Sequence, residues 1–383
     1  MPGLYIGLMS GTSLDGVDGV LVELGELGEL GGAAAQPQVL ASAHIPMPQA
    51  LRQEFLALNS AGPDELHRAA LAANALVGLY TEVVGQLLAS AGLQPAQVQA
   101  IGAHGQTVRH QPQAFDGIGY TLQLNQAALL AERCAITVVA DFRSRDLAAG
   151  GQGAPLVPPF HLAVFGDTQE SRAVLNIGGI SNITLLPAGA AQANGAGLLG
   201  FDCGPGNALM DAWCERHTGA AYDDQGRWAG QGQLVTGLLA AMQQEPFFGL
   251  RPPKSTGRDL FNPAWLEQHL AAFPACTPVD VQATLTELTA WACAQALSAA
   301  SANYRRLVVC GGGARNVFLM QRLSSLLPGV KVSTTQDWGF APSDVEALAF
   351  AWLAQQALQA KPASVAAVTG ARGARILGAI YRA

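Results

Sequence analysis

The chain has 383 residues, half of them hydrophobic and only 13% charged. That composition permits a large buried core and argues against disorder, and the length fits two domains better than one. A net charge of -7, without a block of Lys and Arg, argues against a nucleic-acid or anionic-membrane surface.

Three apolar, β-rich runs open the chain, at 4–8, 19–24 and 38–45. Between the first two lies Met9-Ser-Gly-Thr-Ser-Leu-Asp-Gly-Val-Asp18, which reads as a tight polar turn between strands. Its glycines let the backbone curl so that N–H groups converge on an anion. Its hydroxyls add donors, and Asp15 could orient a metal ion or its water. Turn-forming residues also gather for purely local reasons. The Gly- and Ala-rich stretch Gly25 to Gln36 reads as a variable hairpin loop.

A helix is expected from about 64 to 91, started by Pro63 and Asp64 and stopped by Gly92. A strand at 98–102 then leads into a polar turn, Ala103-His-Gly-Gln-Thr107. His104, Gln106, Arg109 and His110 surround that strand end. A strand at 136–140 ends at Asp141-Phe-Arg-Ser-Arg-Asp146. These polar concentrations suit a sugar or an anion, although local ion pairs explain any single member equally well.

At Ala173 the pattern starts again. A strand at 173–177, the turn Gly178-Gly-Ile-Ser-Asn182 and a strand at 183–186 repeat the arrangement of residues 4–24. A strand at 197–201 ends in Asp202-Cys-Gly-Pro-Gly-Asn207. Asp202 could serve there as a general base or merely cap the following helix. Helical patterns occupy about 207–218, 231–243 and 280–303. Lys254-Ser-Thr-Gly-Arg258 is a polar loop between helices whose basic pair could touch phosphate, a surface loop being the safer reading. The strand 307–310 runs into Gly311-Gly-Gly313, where a phosphate could approach the backbone closely. A strand at 331–334 and a helix at about 343–360, with Glu346 in its first turn, follow.

Each half therefore reads as a hairpin sheet followed by alternating helices and strands: a structural duplication without a sequence repeat. Such halves would face their glycine turns across a cleft, a preferred ligand site. No GxxxxGK[ST], GxGxxG at a helix start, GxSxG or HExxH is present. Six scattered cysteines, without CxxC or a zinc spacing, read as buried reduced thiols of a cytoplasmic protein. Neither a signal peptide nor a membrane span is expected.

Several stretches together resemble the anhydro-N-acetylmuramic acid kinase family. They are Gly7 through Asp18, His104-Gly-Gln-Thr107, Asp141-Phe-Arg143, Gly150 through Pro158, Asn176-Ile-Gly-Gly179, Phe201 through Asn207, Lys254 through Arg258, Gly311-Gly-Gly313 and Glu346 through Phe350. They span nearly the whole chain; the first and the Phe201 stretch are the most specific. The resemblance implies the actin, sugar-kinase and heat-shock ATPase superfamily: an α/β protein of two ribonuclease-H-like domains with ATP in the cleft between them. The expected domains are 1–170 plus 364–383, and 171–363.

The family's ATP loop falls on Ser10, Gly11, Thr12, Ser13, Leu14, Asp15, Gly16 and Val17. Asn176, Gly178, Gly179, Gly311, Gly312 and Gly313 are expected on the nucleotide as well. The catalytic aspartate falls on Asp202, and His104, Arg143 and Glu346 on the sugar side. The implied reaction uses ATP to open and phosphorylate 1,6-anhydro-N-acetylmuramic acid in cell-wall recycling; a Mg²⁺ ion is expected with it, and Asp15 is a candidate to hold the metal's water. The implied protein is a cytoplasmic homodimer. The alternatives are a related kinase acting on a plain sugar hydroxyl, or a non-enzymatic ATPase of the actin or chaperone type.

Overall fold

The structure is a computed structural model. It describes residues 2–11, 13–25, 36–191, 195–252, 254–257, 259–300 and 303–383. Thr12, Arg258 and most of the expected loop between Gly25 and Gln36 lie outside the described residues.

The strands are β1 (Gly3–Ser10), β2 (Gly16–Leu24), β3 (Gln38–Pro46), β4 (Val98–Pro112), β5 (Gly119–Leu124) and β6 (Val138–Ala140). They continue as β7 (Arg172–Ile177), β8 (Ile180–Leu186), β9 (Leu199–Pro205), β10 (Arg306–Cys310), β11 (Lys331–Thr334) and β12 (Ala379–Tyr381). The chain divides into two compact units. The first holds Met1–Val164, Ala191–Ala196 and Asp344–Ala383, the second Phe165–Ala190 and Gly197–Ser343.

The first sheet has the order β12-β6-β4-β1-β2-β3, with β5 also paired to β4, and the second has the order β11-β10-β7-β8-β9. In the first, β1, β2 and β3 form an antiparallel meander, and β4 then β6 add in parallel on the far side of β1. In the second, β7, β8 and β9 form the same meander, and β10 then β11 add in parallel beside β7. The shared connectivity is that of two ribonuclease-H-like α/β units, the duplication expected from the chain pattern.

The first unit's core is set by helices laid on this sheet. Helix Glu65–Ala91 buries Leu76, Val77, Tyr80, Val83, Val84 and Leu87, an i, i+3, i+4, i+7 stripe. Each fully buried side chain of this kind contributes roughly 1.5–3 kcal/mol. The helix ends as expected at Gly92, in the left-handed conformation that closes a helix. Asp64 precedes it but makes no side-chain cap. Its length and composition would suffice to cross a membrane, yet half of its most apolar window is buried within the protein.

Helix Val345–Leu358 lies directly on the backbones of β1 and β4. A Cβ at Gly7 would come 1.8 Å from the carbonyl oxygen of Ala347, and one at Gly102 would come 2.0 Å from that of Phe350. Only glycine permits such an approach. This packing places 344–363 in the first unit, so the chain returns there ahead of the expected residue 364.

The second unit is built around helix Pro278–Ser298, most of whose residues are buried. Thr277 caps its start through the backbone N–H of Asp280, and Pro278 occupies a first-turn position that needs no N–H donor. Phe247, Phe248, Phe261 and Trp265 fill the core beside it. All six cysteines are free and five are buried, Cys276 being the partly exposed one.

Two expected turns are strand instead. Residues 103–107 continue β4, because β1 pairs with one edge of it (Ser10 opposite Gln106) and β5 with the other (Gln106 opposite Leu124). Likewise β9 runs through Asp202 to Pro205, paired with β8 at Asn182. Both segments carry polar side chains, but their backbones are satisfied by neighbours distant in sequence. The helix expected at 231–243 begins only at Thr236.

Candidate active site

The first unit presents the β1–β2 turn. It is short, Gly11 to Asp15, because β1 extends through Ser10 and β2 begins at Gly16. Leu14 N donates to Gly11 O at 3.2 Å, and Met47 N to Asp15 O at 3.0 Å. Ser10 is buried, and its hydroxyl donates to Gln106 Oε1. Gln106 Nε2 in turn reaches Gly11 O at 3.3 Å, so the second strand of the sheet's parallel pair steadies the turn. Ser13 Oγ donates to Asp15 Oδ1 at 2.7 Å, and Asp15 is exposed. A Cβ at Gly11 would find only ordinary contact, Ser13 Oγ at 3.4 Å.

Behind the turn the same unit brings together His104, Arg143 and Glu346. Arg143 donates Nε and Nη2 to His104 Nε2 at 3.2 and 2.9 Å, and Nη1 to Gly153 O at 2.7 Å. His104 is buried and packs on Phe350 with ring centroids 4.7 Å apart. Burial and then the Arg143 charge push its pKa down to about 3. It is therefore neutral at physiological pH, accepting at Nε2 with its proton on Nδ1. Burial lowers Arg143 to about 10 against the pull of Glu346 and Asp146. Glu346 is raised to about 7, first by burial and then by the negative charge of Asp18, with Arg143 opposing and Asp15 adding. Asp18 is itself raised by burial, and His44 Nδ1, 2.8 Å away, works against that rise.

In the second unit the start of helix Asn207–Thr218 meets Gly178 and Gly179. The backbone N–H groups of Gly206 and Ala208 donate to Gly179 O at 3.0 and 3.2 Å, and that of Asn207 to Gly178 O at 2.8 Å. Asn207 Nδ2 reaches Ile177 O at 3.1 Å. The start of helix Asn207–Thr218 is thus sewn to the β7–β8 turn. Gly206 has no room for a Cβ, which would fall 2.2 Å from Gly178 O, and Gly313 none, with Ile177 Cγ2 at 2.3 Å. At Gly178 and Gly312 a Cβ would make only ordinary contacts, the nearest atoms lying at 3.6 and 3.5 Å. Asn176 pairs with Asn182 across the hairpin.

Asp202 lies on β9. It does not cap helix Asn207–Thr218, whose cap position is Gly206 without a side-chain bond. Its Oδ2 instead accepts from Ser255 Oγ and from Thr256 N, both at 2.9 Å. Burial raises its pKa, while Thr256, Ser255 and the Lys254 charge hold it down. The segment at Lys254 is therefore no detached surface loop. Lys254 O accepts from Asp202 N at 3.1 Å.

A family model described as anhydro-N-acetylmuramic acid kinase matches residues 3–383. A protein of that name from Variovorax paradoxus is 58% identical over 380 residues, covering 99% of each chain. Another from Bordetella parapertussis is 59% identical over 387 residues, covering 100% of this chain and 97% of the relative. The chain belongs to the anhydro-N-acetylmuramic acid kinase family. Among solved structures, more distant likenesses are found. The activator of 2-hydroxyisocaproyl-CoA dehydratase from Clostridium difficile with bound ADPNP is 12% identical, with a TM-score of 0.46 over 91% of this chain and 92% of that one.

For a member of the anhydro-N-acetylmuramic acid kinase family, the residues to which sequence reasoning assigned no role are the supporting ones. Gln106, named only among the polar residues of a strand end, underlies the first turn. Ser255 and Thr256, assigned to a surface loop, hold Asp202. Arg109 and His110 are engaged locally: Arg109 with Glu65 at 2.6 Å, His110 with Thr121 Oγ1 at 2.9 Å. Asp146 is structural, fully buried and bonded to Gly153 N and Thr369 Oγ1, each at 2.8 Å.

Proposed function

We propose that the protein uses ATP and water to convert 1,6-anhydro-N-acetylmuramic acid into N-acetylmuramic acid 6-phosphate, in cell-wall recycling. Family membership over the full chain supports the substrate. The observation that carries the chemistry is Asp202: a carboxylate seated in β9, one oxygen held by two donors. Asp202 takes a proton from a water as that water's oxygen bonds to the anomeric carbon. The bond from that carbon to the bridging oxygen breaks, and oxygen 6 attacks the γ-phosphoryl group, releasing ADP. The proton on Asp202 then passes to solvent.

Phosphoryl transfer depends on positioning and charge neutralisation more than on covalent help. The Ser10–Val17 turn of the first unit is read as an ATP-holding segment, and so, in the second unit, are Asn176, Gly178, Gly179 and Gly311–Gly313. A Cβ at Gly11, Gly178 or Gly312 would meet only ordinary contacts, so the backbone there is not closed off by packing, and this supports that reading. His104, Arg143 and Glu346 are read as the sugar side.

Mg²⁺ would neutralise charge on the phosphates. Among the described residues no group of three or more His, Cys, Asp or Glu side chains could hold a metal ion. The exposed Asp15 carboxylate fits a hydrated ion reached through water, the state Mg²⁺ favours when it sits on phosphates. Free thiols support a cytoplasmic location, and the family resemblance supports a homodimer.

The test is ADP release by the purified protein with ATP, with and without the anhydro sugar. Sugar-dependent release, with N-acetylmuramic acid 6-phosphate found by mass, is expected. Phosphate release without sugar would favour the actin- or chaperone-type reading.

A further inference from the structure

The segment Lys254–Gly257 runs beside β9 and grips Asp202 at three points. Lys254 O accepts the Asp202 N–H at 3.1 Å, and Ser255 Oγ and Thr256 N both donate to Asp202 Oδ2 at 2.9 Å. The segment has an anchor of its own. Lys254 Nζ reaches the carbonyls of Phe247 and Phe248 at 3.3 and 3.4 Å and sits 4.5 Å from the centre of the Phe247 ring. Ser255 is exposed, so its side chain adds little packing. Among the described residues, the bonds to the Asp202 carboxylate all fall on Oδ2.

We propose that Ser255 is a positioning residue for the base: with the Thr256 N–H it pins Oδ2 and leaves Oδ1 directed at the reactive water. The role rests on the reading of Asp202 as that base. A staple for the loop alone would not need this hydroxyl, because Lys254 already ties the segment to the helix Pro246–Gly249 and to the β9 backbone. Donors aimed at the charged form also favour it, so the hydroxyl keeps the carboxylate ionised in a partly buried place.

The sign follows directly. The base works ionised, so turnover falls as pH drops through its pKa. Removing a donor to the carboxylate raises that pKa and moves the acid limb of the kcat profile to higher pH.

The experiment compares the pH profiles of kcat, KM and thermal midpoint for the wild type, Ser255→Ala, Ser255→Thr and Asp202→Asn. For Ser255→Ala, kcat is expected to fall roughly 10- to 100-fold. Its acid limb should move to higher pH while KM for ATP and the thermal midpoint hold. Ser255→Thr, which keeps the hydroxyl, should restore most of the loss. An unmoved acid limb and kcat in Ser255→Ala, beside an inactive Asp202→Asn, would overturn the role of Ser255 alone. Near-normal turnover of Asp202→Asn would overturn the base assignment itself, and the role of Ser255 with it.

Discussion

The β1–β2 and β7–β8 turns occupy the same place in two sheets of the same connectivity, yet they are made differently. The first is held from behind, by Ser10 and Gln106, and leaves Ser13 and Asp15 on its outer side. The second is two glycines whose carbonyls are taken by the first N–H groups of helix Asn207–Thr218. The duplication is one of connectivity and not of chemistry. In the first turn side chains are available to a ligand. In the second, packing leaves no room for a Cβ at Gly206 or Gly313, whereas one at Gly178 or Gly312 would meet only ordinary contacts.

Placing one valine in each region breaks this comparison most sharply. Gly313→Val drives a side chain into Ile177 and should cost at least about 1–3 kcal/mol of stability, seen as a lowered thermal midpoint. Gly11→Val has room in the turn. It should leave the midpoint unchanged and weaken ATP binding by about tenfold or more, roughly 1.4 kcal/mol by calorimetry. The reverse pattern would mean that the first turn is the structural one.

The carboxyls beside the two turns sharpen the contrast. Glu346 is raised to about 7 by burial and by nearby negative charge, whereas Asp202 is raised by burial and held down by donors. A folded-state pKa above the unfolded value near 4.5 favours the fold below that value. The benefit is lost as pH rises through about 7. Glu346→Gln should therefore gain stability on the wild type between pH 4.5 and 7, by up to about 3 kcal/mol and levelling above that, read as a raised thermal midpoint. A pH-independent difference would place the Glu346 charge elsewhere than beside Asp18 and Arg143.

The smallest effect is expected at the support of the first turn. Ser10→Ala leaves buried Gln106 short of a partner and should cost about 1–2 kcal/mol in chemical denaturation. No loss would mean that Gln106 holds the turn through Gly11 alone.

Much of the fold was legible because strands β1, β2, β7 and β10 carry short apolar runs bounded by polar turns. Polar strand segments were not legible. His104 to Thr107 and Asp202 to Pro205 have turn-like composition, and they are strand only because distant neighbours bond both edges. Helix Val345–Leu358 was recognisable as a helix, but its unit was not. The determinants are Gly7 and Gly102, whose missing side chains give no periodic signal. Asp202 could be singled out from its glycine-rich surroundings. Its partners could not, since Ser255 and Thr256 lie more than fifty residues away along the chain.

The central claim is that one carboxylate directs water to the anomeric carbon while oxygen 6 is phosphorylated. Turnover of 1,6-anhydro-N-acetylmuramic acid with ATP in ¹⁸O-labelled water tests it most directly. The account predicts one labelled oxygen at carbon 1 of the first product formed and none in the transferred phosphate. Label in the phosphate, or ADP formed with an unlabelled sugar product, would contradict it.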